Sequence, residues 1–302
     1  MTEVGVVHLV RRKNGLVPFE RFLASYQKYP AGVPHGLVLV FKGFPFRLGT
    51  RAYDQLLAGV QHRRMYMADY GFDLRPYFKA IAMLDYRYLC FLNSFSVILA
   101  ANWLAKLHRW AAAEGVGLVG ATGSYQSFST GSAERNRMLR EIGPVARLRW
   151  RISHVLKDPQ PRPIVQRTAA WLLGALALWD PARYFPPFPN YHVRTNAFMA
   201  SRETLARVRI GLVPFKISAY MFESGYRGLT SQIVHLGLRP LVVGRNGEAY
   251  DKDQWHIANT FRQGRQENLM IADNQTEIYA QANAVDRAEL SRLAWGDRSR
   301  SA

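Results

Sequence analysis

Residues 88–96, YLCFLNSFS, decide how the rest of the chain is read. Tyr88 to Leu92 form an apolar run that reads as a buried strand, and Asn93, Ser94 and Ser96 stand where the next helix is expected to begin. Small uncharged hydrogen-bonding groups at such a tip have two uses. They cap the following helix, since Asn and Ser are favoured N-caps, or they meet a ligand.

Working outward, the first half of the chain alternates strand-like and helix-like segments. VGVVHLV (4–10), GLVLVFKGF (36–44), RRMYMAD (63–69) and GVGLVGATGS (115–124) read as strands. Between them, residues 18–29 place Phe19, Phe22, Leu23 and Tyr26 at helical spacing, and Thr50 to Val60, 74–84 and a long stretch from about Val97 to Ala113 also read as helices. Strands alternating with helices predict an α/β fold with a mostly parallel sheet flanked by helices. In such sheets ligands bind beyond the carboxyl ends of the strands. Asp69, Asn93 with Ser94, and Thr122 to Ser124 all stand at those ends, so one edge of the sheet is expected to gather them.

After Ser124 the alternation is lost. Residues 134–157 are heavily basic with an apolar residue every three or four positions, predicting an amphipathic helix, or two broken near Gly143 and Pro144. TAAWLLGALALWDPARYFPPFP (168–189) follows, and its uncharged run is too short to cross a bilayer. An interfacial segment lying on an anionic membrane and a helical hairpin packed on the domain both suit this composition. Order returns with a strand and helix over 191–208, helices on either side of Gly225, and a strand ending in the tight Asn246-Gly247 turn.

The 302 residues are 48% hydrophobic and 13% aromatic, which is the composition of a globular protein rather than a disordered one. Cys90 is the only cysteine, which excludes a disulfide framework and a Cys-based metal site and fits a reducing, cytoplasmic compartment. The net charge of +18 attracts polyanions: nucleic acid, anionic lipid or a phosphorylated substrate. No nucleic-acid-binding motif accompanies it, so nucleic acid is not the expected partner.

Five blocks carry a family resemblance: MADYGFDLRPYFKAIAMLDYRYLCFLNSFS (67–96), GVGLVGATGSYQS (115–127), YHVRTNAFMASRETL (191–205), FESGYRGLTSQIVHLGLRPLVVGRNGEAYD (222–251) and FRQGRQENLMIADNQT (261–276). In that order they resemble bacterial glycosyltransferases of GT-A fold, of the family-2 and rhamnan-synthesis type. The similarity runs from about Val4 to Tyr279 and weakens through the basic insertion. It implies a nucleotide-sugar-binding half (1–124), the basic helical insertion (125–190) and an acceptor-binding and catalytic half (191–296). The partners implied are a nucleotide-sugar donor and a polysaccharide or lipid-linked acceptor in cell-surface glycan synthesis, with the chain held at the inner face of the cytoplasmic membrane.

Site residues follow from the same resemblance. Asp69, with Asp73 nearby, is expected to hold base or ribose, Asn93, Ser94 and Thr122 to line the donor side, and Arg11 or Arg194 to face the diphosphate. Residues 265–276 would close as a lid that brings Asn268 and Asp273, with Arg262, to the phosphates, or would pack as a plain C-terminal segment. Glu223 matches the family's catalytic carboxylate, the base that takes the acceptor hydroxyl's proton; Asp251 and Asp253 are alternatives, and a helix-surface glutamate is the bland one. The sequence departs from the family at Asn93-Ser94-Phe95, where an Asp-any-Asp pair would hold Mn or Mg against the diphosphate. Either a metal is held elsewhere, with Asp273, or arginines neutralise the leaving group without one. His192 and His256 show no metal-ligand spacing. A catalytically silent sugar-nucleotide or glycan-binding protein and a basic nucleic-acid-binding protein are the competing readings.

Overall fold

The computed structural model of the chain describes residues 2–44, 48–69, 73–130, 181–211 and 216–297. It divides into two compact units, residues 1–125 with 191–302, and residues 126–190. The basic stretch 134–157 and the apolar run 168–179 lie outside the described residues.

In the larger unit, β1 (Val4–Arg11) leads to α1 (Val17–Lys28), β2 (His35–Lys42), α2 (Arg51–Leu56), β3 (Arg63–Met67), α3 (Leu74–Met83) and β4 (Tyr88–Leu92). Then come β5 (Val97–Ile98), α4 (Trp103–Ala111), β6 (Val116–Gly120) and β7 (Gly123–Ser124). After the second unit the chain adds β8 (His192–Val193), β9 (Ala197–Ser201), α5 (Arg202–Arg207), α6 (Lys216–Ser224) and α7 (Leu229–His235). It ends with β10 (Arg239–Val243), β11 (Ala249–Tyr250), β12 (Ile271–Ala272), α8 (Asn274–Gln281) and α9 (Ala284–Trp295).

Eight of these strands form one sheet in the order β11-β10-β6-β9-β4-β1-β2-β3. β1 is parallel to both β2 and β4, β2 to β3, and β6 to β10. β9 lies antiparallel between β4 and β6, and β11 closes the edge antiparallel to β10. The α/β, mostly parallel sheet flanked by helices that the alternation predicts is the architecture the chain adopts. Its central strands are mostly apolar because both faces are covered: every residue of β4 is buried, as is every residue of β1 but Arg11, with His8 the one buried polar side chain of β1. Gly5 and Gly36 serve a close approach, since a Cβ on either would sit 2.4 Å or 2.0 Å from the Tyr86 side chain.

One helix begins later than its sequence suggests. Val97–Ile98 is a short strand, β5, paired antiparallel with β12, and the Ile98 N–H donates to the buried Ser25 hydroxyl at 3.0 Å. Asn102 then takes a left-handed φ of 57°, which ends the extended segment and lets α4 start at Trp103. α2 is also shorter than 50–60, stopping at Leu56.

In the smaller unit the described residues form a clasp. The hydroxyls of Ser127 and Ser129 both donate to the Pro186 carbonyl, at 2.5 and 2.8 Å, and the Phe188 N–H donates to Thr130 Oγ1. Phe128 packs on Phe185 with ring centroids 5.0 Å apart.

Candidate active site

The carboxyl ends of β1, β2 and β3 bring four charged groups together. Arg11, the last residue of β1, spans the Asp69 carboxylate with Nε to Oδ1 at 2.9 Å and a terminal nitrogen to Oδ2 at 3.2 Å. Lys42, the last residue of β2, is fully buried and places Nζ 3.6 Å from Asp69 Oδ1. Burial pulls the Lys42 ammonium below its usual range, against the opposing pull of Asp73 and Asp69. Asp73 precedes α3, half-buried, and its carboxylate makes no capping bond to that helix. Desolvation pushes the Asp73 carboxyl up; Lys42 and Arg11 oppose the shift, while Asp69 and Glu223 add to it.

At the tip of β4 the small polar residues are committed to a turn. Asn93 Oδ1 accepts from the Phe95 N–H at 3.0 Å and from Ser96 Oγ at 3.1 Å, while its own N–H donates to the Asn196 carbonyl. The next element is β5, so Asn93 closes a side-chain-mediated turn instead of capping a helix. Ser94 Oγ accepts from Asn14 Nδ2 at 2.7 Å, which ties this tip to the segment after β1.

Three consecutive residues after β8 bind four different segments. Arg194, buried, donates to Asp273 Oδ2 at 2.8 Å and to Thr122 Oγ1 at 3.3 Å, and lies 4.1 Å over the Phe261 ring. A guanidinium has only donors, so the Thr122 hydroxyl uses a lone pair for Arg194 and sends its proton to Asn196 Oδ1 at 2.7 Å. Between them, Thr195 donates its N–H to Glu223 Oε2 at 2.8 Å and its hydroxyl to the same oxygen. This bracket joins the exits of β4 and β6, the end of α6 and the start of α8.

The remaining sequence-derived residues sit as follows. Asp273, 1% exposed, also caps α8 by accepting from the Gln275 and Thr276 N–H groups. Arg262 has a left-handed φ of 50°, donates to Gln275 Oε1 at 2.9 Å and lies 4.9 Å over Phe261. Burial and then the like charge of Arg194 pull its guanidinium down to about 10. Asn268 is set apart: it donates to Tyr250 and Ala258 and accepts from the Asn246 N–H, bracing the β10–β11 turn. Asp251 and Asp253 are exposed, and Asp251 lies 3.7 Å from Arg239 at the opposite, starting end of β10. His192 lies in the β7–β8 pairing and His256 beside Tyr125, 3.4 Å from its hydroxyl.

No protein-family model and no curated protein matches the chain. Solved structures do. A mannosyltransferase from Pyrobaculum calidifontis, in complex with GDP-Man and Mn2+, aligns over 86% of this chain at 12% identity and a TM-score of 0.45. The match spans 60% of that protein's length. S. aureus TarS, residues 1–349, aligns over 39% of this chain and 34% of its own at 11% identity, with a TM-score of 0.31.

The two groups that the sequence sets aside for a divalent cation, Asn93 and Asp273, are engaged elsewhere in the fold. Among the described residues no three His, Cys, Asp or Glu side chains gather to hold one. Asp273 spends one oxygen on Arg194 and the other on two backbone N–H groups, and a neighbouring guanidinium repels a cation. Asn93 spends its oxygen on its own turn.

Sequence reasoning passed over Asn14, Lys42, Thr195 and Asn196. Lys42 had a signal, a lone lysine ending an otherwise apolar strand. Thr195 and Asn196 sit inside a quoted block, but their partners lie 28 and 74 residues away and leave no local trace.

Proposed function

We propose that the chain is a glycosyltransferase that moves a sugar from a nucleotide-sugar donor to a polysaccharide or lipid-linked acceptor. The observation that carries this reading is Glu223: its carboxylate stands at the exit of the strand edge, one oxygen held by Thr195, within electrostatic reach of Asp73. A base beside a charged cluster beyond the strand ends is what transfer onto an acceptor hydroxyl needs. Lys42, Asp69 and Asp73 form the donor side in this reading, with Asn93, Ser94 and Thr122 shaping its wall. Arg194 and Arg262 supply positive field behind the leaving diphosphate. Asp251, Asn268 and Asp273 act through the fold, as ion-pair, turn and helix-cap groups.

The +18 charge favours association with an anionic cytoplasmic membrane face, where a lipid-linked acceptor would be met. Among the described residues no helix is long and apolar enough to cross a membrane. The commitments of Asn93 and Asp273 favour a donor site that works without Mn or Mg.

A thermal-shift panel of UDP-, GDP-, dTDP- and CMP-sugars, each with and without Mn or Mg, tests the reading. Stabilisation by one donor, unchanged by metal, is the expected result. Glu223→Gln should keep that stabilisation and lose turnover. A chain that no donor stabilises is not a transferase of this kind, and one whose Glu223→Gln variant turns over normally uses another base.

A further inference from the structure

Thr195 and Glu223 make an unequal contact. Both Thr195 donors, the backbone N–H and the hydroxyl, converge on Oε2, and Oε1 accepts no bond among the described residues. Thr195 is itself fixed on both sides: Arg194 is locked to Asp273 and Thr122, and the Asn196 carbonyl accepts from the Asn93 N–H at 2.9 Å. A carboxylate pinned through one oxygen has its other oxygen aimed by the same two bonds.

We infer that Thr195 is a positioning residue for Glu223: it holds Oε2 so that Oε1 is the oxygen that receives the acceptor's proton. This rests on the proposed transferase reading. In the step, the acceptor O–H bond breaks and its proton passes to Glu223 Oε1. The acceptor oxygen bonds the anomeric carbon, and the bond from that carbon to the diphosphate oxygen breaks, its electron pair leaving with the diphosphate. Holding the base in a near-attack geometry acts on turnover and leaves donor binding alone.

The test compares Thr195→Val, which keeps shape and the backbone donor but removes the hydroxyl, with Thr195→Ser, which restores it. Steady-state kinetics on the full chain should show kcat of Thr195→Val lower by about ten- to hundredfold, the range for one hydrogen bond to a charged group. Donor KM should stay within about twofold, the signature of an interaction used only in the transition state, and Thr195→Ser should return most of the rate. Should Thr195→Val not fold, Thr195→Ala against Thr195→Ser makes the same comparison. Undiminished kcat in Thr195→Val, or equal losses in Val and Ser, overturns the inference and leaves the function standing. A wild-type chain that binds no nucleotide-sugar, or binds one and transfers nothing, overturns both.

Discussion

The two halves of the strand edge handle charge in opposite ways. Beyond β1, β2 and β3, Arg11, Lys42, Asp69 and Asp73 form a half-open cluster, where Lys42 is drawn down and Asp73 pushed up by burial. Beyond β6 and β8, the Arg194–Asp273 pair is almost wholly enclosed and each partner has further bonds: Thr122 and Phe261 for the arginine, the α8 backbone for the aspartate. The first half holds its charges in a partly exposed network around Asp69. The second uses charge as structure, and a buried pair of that kind is costly to break even where it adds little net stability.

Breaking the enclosed half should have the largest effect. Arg194→Met leaves Asp273 buried without its ion-pair partner, and urea unfolding should report a loss of about 3–5 kcal/mol. Adding Asp273→Asn, which retains an oxygen for the helix cap, should recover part of that loss; a strictly additive pair would show that the two charges do not act together. Thr122→Val is next, since it strips the only donor to Asn196 Oδ1 among the described residues and one bond of Arg194. The same measurement should register about 1–3 kcal/mol.

The half-open side should respond more weakly. Asp69→Asn removes a partly exposed ion pair and should cost at most about 1 kcal/mol, an effect that shrinks in 1 M salt while that of Arg194→Met does not. Asp73→Asn should act in the opposite direction. A carboxyl whose folded-state pKa is raised binds more protons folded than unfolded, so its ionisation destabilises the fold above that raised pKa. The burden is lost as pH falls toward the unfolded-state value of about 3.9. Melting midpoints for Asp73→Asn should therefore exceed wild type by about 1–2 °C near neutral pH and match it near pH 4. A variant that is less stable at neutral pH would mean that Asp73 is a paired structural group, like Asp273.

This contrast also separates what the sequence displays from what it hides. The central strands β2 and β4 are legible because burial on both faces demands apolar runs, and Lys42 and Asn93 mark where those runs stop. The stretch after Ser96 misleads because Val97, Ile98, Trp103 and Leu104 fit a helical face as well as a strand and a later helix. Only the distant β12 and the left-handed Asn102 decide between them. Asn93 is ambiguous for a chemical reason: the same side-chain oxygen can cap a helix or close a turn. Thr122, Arg194 and Asp273 are chosen from the sequence as separate candidates, and the fold joins them to one another across 72 and 79 residues. Long-range bonding of that kind has no periodicity to announce it.

The clasp of the smaller unit bears on how this chain tolerates change. Ser129 and Pro186, 57 positions apart, are already bonded, so the ends of the intervening segment are held together by groups of their own. Closing a loop costs entropy that grows only with the logarithm of its length, so doubling what lies between costs roughly 0.6 kcal/mol. The clasp supplies that closure locally, since Ser127 and Ser129 hold the Pro186 carbonyl by bonds of their own.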